Sequence, residues 1–215
     1  MEMDSPITLF NKAEQFLREN GFSSEIDWWE NHPGLEKMAD NDILGEYAWV
    51  VFNSGMGNAV IEAKWQDIRK AFRFFNLKLI LDEPDAVLRD VLNIFNHEGK
   101  VNAIIQFCKK LRKESFAFKR QVNENPLETL TELKFIGPKT MRHLARNLGF
   151  PFIKPDEHLI RLAARYGMTP FELGNFIHKE TGRKLGVIDA ILWRYSEQQG
   201  TRKATKSRHS CREKP

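Results

Sequence analysis

The sequence predicts an all-α protein, on three observations. Apolar residues recur at spacings of three and four along nearly the whole chain. No stretch alternates with the period of two that a half-buried strand needs. Proline or glycine interrupts the pattern at intervals about one helix long.

Taken in order, Leu9, Ala13, Phe16 and Leu17 define an opening helix, and Ile61, Trp65, Ile68, Phe72 and Phe75 a longer one. Leu88, Val91, Leu92 and Phe95 repeat the pattern, followed by Val101, Ile104, Ile105, Cys108 and Leu111. Leu127, Leu130 and Leu133 close a short helix. Met141, Leu144, Ala145 and Leu148 start the next, then Leu159, Leu162, Ala163 and Tyr166, then Val187, Ile188, Ile191, Leu192 and Tyr195. Breaks fall at Glu83-Pro84, Asn125-Pro126, residues 149–155 and Thr169-Pro170. Eight to ten helices with short connections are expected, and residues 199–215 read as a disordered basic tail.

Composition narrows the function classes. At 215 residues, 41% hydrophobic and 29% charged, the chain suits one large domain or two small lobes. The longest apolar run is Tyr47 to Phe52, far short of the roughly 18 residues a membrane span needs. Glu2 and Asp4 make the N-terminus unlike a secretory signal. A soluble protein of the cytoplasm or nucleoid is expected. Two cysteines, Cys108 and Cys211, exclude a disulfide framework, a four-cysteine zinc site and a cysteine-ligated iron-sulfur cluster, and Cys108 falls on an apolar stripe. The six histidines have no ligand spacing, so neither a metal nor another cofactor is predicted.

The net charge of +4 conceals an asymmetry. Residues 1–50 carry three Lys or Arg against eleven Asp or Glu, whereas residues 100–165 carry fourteen against six. Such segregation gives either one basic face for phosphates or a set of ordinary solvated helix faces.

The stretch LKFIGPKT at 133–140 bears on that choice. Phe135, Ile136 and Gly137 turn the chain, and Pro138 suits the first position of a new helix, where its missing N–H costs nothing. Helix, hairpin and helix result. The second helix opens with unpaired N–H groups and positive potential, and Gly137 permits close backbone approach, so Phe135, Ile136, Gly137 and Thr140 can hold a DNA phosphate without reading sequence. Lys139 lies in the first turn, where the dipole and partial burial would favour a neutral, nucleophilic amine. The chemistry that suits such an amine is attack on a sugar anomeric carbon. Asp156, after Pro155 and before Glu157 to Arg165, is placed to cap the next helix, and its carboxylate could stabilise an oxocarbenium-like sugar or take the proton from Lys139.

These segments resemble the helix-hairpin-helix DNA glycosylase superfamily. Over about residues 88–168 the likeness is greatest to endonuclease III-like members, through FNHEGKVNAIIQFCKKL at 95–111, LKFIGPKT, and IKPDEHLIRLAARYG at 153–167. By that resemblance Lys139 matches the lysine that makes bifunctional glycosylases lyases, and Asp156 the essential aspartate. The four cysteines with which endonuclease III-like enzymes bind a cluster are absent. GMGNAVIEAKWQDIRKAF at 55–72 and FKRQVNENPLETLTELKFIG at 118–137 look more like the 3-methyladenine DNA glycosylase branch, which has no lysine at the Lys139 position.

The resemblance implies a monomeric base-excision repair glycosylase with AP lyase activity on double-stranded DNA containing a damaged base. A monofunctional alkylpurine glycosylase and a noncatalytic DNA-binding module are the alternatives. An extruded base must be stacked and hydrogen-bonded, which makes Trp28, Trp29, Trp49, Phe52, Asn53 and Trp193 pocket candidates, and residues 96–102 a candidate wedge loop. For Lys139 and Asp156 to converge, two helical lobes must surround a DNA-binding cleft. One is expected from residues 46–148, the other from 1–45 with 149–198.

Overall fold

The computed structural model describes residues 4–210, which form twelve α-helices and no strand. In chain order they are α1 (Pro6–Glu19), α2 (Ser23–Glu30), α3 (Asp40–Asn53), α4 (Asn58–Ala71), α5 (Leu77–Asp82) and α6 (Pro84–Leu92). There follow α7 (Glu98–Glu124), α8 (Pro126–Thr131), α9 (Thr140–Asn147), α10 (Glu157–Ala164), α11 (Pro170–Thr181) and α12 (Leu185–Ser210). The count exceeds the eight to ten expected for two physical reasons. Helices α2 and α5, of eight and six residues, are too short to repeat a stripe. Helix α3 is buried around most of its circumference, at Tyr47, Ala48, Val50, Val51 and Phe52, so it shows no periodicity.

The helices fall into two compact units, one from residues up to His32 with those from Pro151 onward, the other from Pro33 to Phe150. In the first unit α12 is the centre, packed on by α1, α2, α10 and α11. Its Val187, Ile188, Ile191 and Leu192 meet Phe10, Ala13 and Leu17 of α1 and Leu159, Leu162 and Ala163 of α10 in one core. Apart from Phe10, these residues lie on the stripes that the sequence marks. Helix α12 runs on to Ser210, so residues 199–210 are helical where a disordered tail is predicted. Lys, Arg and Ala readily propagate a helix whose first turns are already nucleated by burial. The remainder of the predicted tail, with Cys211, lies outside the described residues.

In the second unit α7 is the centre, with α3, α5, α6 and α8 packed on it and α9 packed on α3 and α8. Its buried Val101, Ile104, Ile105, Cys108 and Leu111 reproduce the predicted stripe. Burial pushes the Cys108 thiol up to about 12, which fits a packing role. Residues 33–45, grouped from sequence with the N-terminal helix, pack in this unit instead. Leu35 and Met38 are buried, and Lys119 of α7 donates to the Met38 carbonyl at 2.8 Å and lies 3.4 Å from the Asp40 carboxylate. Among the described residues no helix is long and apolar enough to cross a membrane.

One glycine matters to the segment that ends in Asp156. A Cβ on Gly174 of α11 would lie 2.8 Å from both Cγ1 and Cδ1 of Ile153, so the glycine makes the space in which the 151–156 segment seats its one buried side chain. Gly174→Val should lower stability by about 1–3 kcal/mol, the usual cost of overpacking. A urea midpoint equal to that of the wild type would show that Ile153 moves aside freely.

Candidate nucleic-acid interface and catalytic groups

The hairpin between α8 and α9 is held from inside. Buried Tyr47 of α3 donates its hydroxyl to the Lys134 carbonyl at 2.8 Å, and Leu133 and Ile136 are buried. The left-handed residue of the turn is Phe135, at φ 64, rather than Gly137. That conformation costs a non-glycine residue roughly 1–2 kcal/mol. The Phe135 ring packs edge-on to His97 at 5.7 Å between centroids, and its Cζ lies 3.5 Å from where a Cβ on Gly99 would stand.

Beyond the turn the hairpin is open to the outside. Thr140 Oγ1 accepts the Gly137 N–H at 2.7 Å, and the Gly137 carbonyl accepts the Met141 N–H at 2.9 Å. Pro138 has no N–H, which leaves the N–H groups of Lys139 and Thr140 without an acceptor among the described residues. A Cβ at Gly137 would meet nothing within 4 Å, so no contact inside the chain requires a glycine there. Lys134 and Lys139 are exposed. The partial burial expected of Lys139 is therefore not found: the end of α9 presents its ammonium to solvent.

The sequence singled out neither charged group behind this surface. Lys100, 4% exposed, donates to the carbonyls of Phe52 at 3.0 Å and Ser54 at 2.6 Å. An ammonium thus caps the C-terminal end of α3 and ties the following loop to the start of α7, where His97 accepts the Lys100 N–H. Burial holds this ammonium below the ordinary lysine value. Glu46 of α3 accepts the Asn147 amide of α9 at 2.8 Å. Desolvation raises its carboxyl from 4.5 to about 7, against the opposing effects of Asn147 and Arg146.

In the other unit Asp156 caps α10 as expected, with Oδ1 accepting the Leu159 N–H at 3.0 Å. The Lys154 ammonium stands 3.9 Å from its Oδ2. The Lys154 N–H donates at 2.7 Å to Asp189 of α12, a fully buried carboxylate. Lys139 and Asp156 thus belong to different units.

The aromatic candidates divide by burial. Phe52 is fully buried against Phe72 and Phe95, and Trp29 is buried in the core beside Gly186, so both are packing residues rather than faces for an extruded base. An aromatic residue satisfies either role, and sequence alone does not separate them. Trp28 is 48% exposed and edge-on to Trp29 and His32. Trp49 is half-buried and edge-on to Trp65, and Asn53 donates its amide to the Trp49 carbonyl at 2.9 Å. Trp193 is half-buried, with the Arg194 guanidinium 4.7 Å and the Lys154 ammonium 5.8 Å from its ring centroid.

Two predictions follow from these geometries. Asparagine caps a helix as well as aspartate does, so Asp156→Asn should keep wild-type stability while Asp156→Ala loses about 1 kcal/mol in urea denaturation. Equal losses would mean that capping is not what the side chain contributes. Glu46 titrates near 4.5 unfolded and about 7 folded, so its protonated form stabilises the fold fully below 4.5 and that contribution is lost as pH rises through 7. Glu46→Gln should therefore match the wild type at the acid end and exceed it in stability above neutrality. A stability difference independent of pH would contradict the raised value.

No protein-family model matches the chain, and no curated protein matches it. Among solved structures it is similar to the crystal structure of the 8-oxoguanine DNA glycosylase of Thermotoga maritima. The two share 18% sequence identity at a TM-score of 0.59, over 88% of this chain and 96% of that one. At that identity the likeness is one of fold: this chain and a DNA glycosylase share an all-helical architecture.

Proposed function

We propose that the protein is a DNA glycosylase of base-excision repair that also carries AP lyase activity. The observation that carries this reading is the open N-terminal end of α9. Two unpaired N–H groups, an unobstructed Gly137 and exposed Lys134 and Lys139 are grouped there, on a fold shared with a DNA glycosylase. Backbone N–H groups at a helix N-terminus suit a phosphate and read no sequence. A repair enzyme, which must hold any duplex and select by the base it extrudes, needs that kind of grip.

In this reading the exposed Lys139 ammonium first gives up a proton to solvent, and its lone pair then forms a bond to C1′ of the damaged nucleotide as the glycosidic electron pair departs with the base, which takes up a proton. Sugar-ring opening then gives the imine. Asp156 stabilises the positive charge developing on the sugar, or receives the proton that the attacking amine loses. The substrate named for the structural neighbour makes an oxidised purine, 8-oxoguanine, the first lesion to test.

The exposure of Lys139 favours one second reading, a monofunctional glycosylase in which that ammonium only contacts phosphate. Borohydride reduction on lesion duplexes separates the two. Lys139→Gln should lose at least about nine-tenths of the covalent trapping, since an amide is no nucleophile, and should still bind DNA. Undiminished trapping would assign the chemistry to another amine, and base release without any trapping would favour the monofunctional reading. Asp156→Asn should slow base release at least about a hundredfold, the scale of one well-placed acid-base or electrostatic group. Near-wild-type release would reduce Asp156 to a cap.

A further inference from the structure

Resting on the glycosylase reading, we propose that Lys154 is a positioning residue for Asp156: a tethered ammonium that holds the reacting carboxylate in place, not a phosphate contact. Its backbone is fixed on both sides. The Lys154 N–H is bound to buried Asp189 at 2.7 Å, and its carbonyl accepts the Asp156 N–H at 2.9 Å, so the two residues are locked in register across Pro155. Pro155 has a fixed φ and pushes the residue before it towards extended backbone.

The side chain is partly covered. Lys154 is 28% exposed, with its ammonium 3.9 Å from Asp156 Oδ2 and 5.8 Å from the Trp193 centroid. A cation over an indole face is attracted by the ring quadrupole, so Trp193 serves as a platform for the ammonium.

The two oxygens of Asp156 consequently have separate tasks. Oδ1 is committed to the Leu159 N–H at 3.0 Å, and Oδ2 faces Lys154 at a separation too long for a hydrogen bond. The ammonium fixes the side of the carboxylate on which Oδ2 stands and leaves its lone pairs available to a developing positive charge. Exposed Lys134 of the other unit, by contrast, has the open setting that a phosphate contact needs.

The test is single-turnover base excision on a lesion duplex, with DNA affinity measured separately on a duplex carrying a noncleavable abasic analogue. Lys154→Met should slow chemistry at saturating enzyme about ten- to hundredfold with affinity within about twofold, as expected for a displaced reacting group. Lys154→Gln, which keeps polarity without charge, should do the same, and Lys154→Arg should restore most of the rate. In an Asp156→Asn background Lys154→Met should cost almost nothing more, because the group it positions is already gone. Weakened affinity with an unchanged saturated rate, or a full additional loss in that background, would overturn the proposal. A wild-type protein that releases no base from any lesion would overturn the glycosylase reading instead.

Discussion

An α-helix leaves its first N–H groups and its last carbonyls without partners, and with twelve mostly short helices among the described residues those ends must be satisfied many times over. This constraint places the candidate functional groups. Asp156 lies where it does because α10 needs an N-cap, His97 caps α7, and Thr140 closes the Gly137 N–H at the start of α9. Lys100 answers the same need from the other side, giving its ammonium to the last carbonyls of α3. What the chain leaves unsatisfied is then informative. The free N–H groups of Lys139 and Thr140 form a helix end that is accessible, backed by exposed cations and unobstructed by any Cβ.

Within the second unit these helix ends are connected. Lys100 ties the α3–α4 loop to the start of α7, the Phe135 ring ties the hairpin to His97 and Gly99 of the same region, and Tyr47 ties the hairpin to α3. The unfavourable φ of Phe135 is held by that packing. The hairpin and the loop after α3 are thus braced by two buried side chains, Tyr47 and Lys100, and by the more exposed Phe135–His97 contact. In the first unit a shorter chain of contacts runs from buried Asp189 through Lys154 to Asp156. In each unit a buried charged side chain braces a loop next to a candidate functional group: Lys100 the loop after α3, Asp189 the segment that leads to Asp156. Preorganised electrostatics depends on such support, since a displaced donor or carboxylate loses most of its effect.

Much of the fold was legible because eight helices write their burial as a stripe. The marked residues Val101, Ile104, Ile105, Cys108 and Leu111 of α7 and Val187, Ile188, Ile191 and Leu192 of α12 are all in the core, which also takes in Phe107, Phe118 and Ala190. Helix α3 was not legible, because burial on most sides erases periodicity. The continuation of α12 to Ser210 was missed because charge and low hydropathy resemble disorder when no helix is known to precede them. At the site, the Gly-Pro break and the aspartate after Pro155 were readable from turn and cap chemistry. Lys100 and Lys154 were not, since a lysine in sequence reads as solvated until the carbonyls or the indole that receive it are located. Trp29 and Phe52 show the converse, aromatic residues whose burial only packing reveals.

The most direct measurement of the central claim asks whether the protein removes a base from DNA, and which one. Duplexes carrying single 8-oxoguanine, 3-methyladenine or undamaged purines, incubated with the full chain and assayed for free base by mass spectrometry, report glycosidic cleavage independently of any lyase step. The account predicts release of a damaged purine with undamaged bases retained. Tight binding to every duplex with no base released from any would contradict it, and would leave the helix-hairpin-helix as a binding element without chemistry.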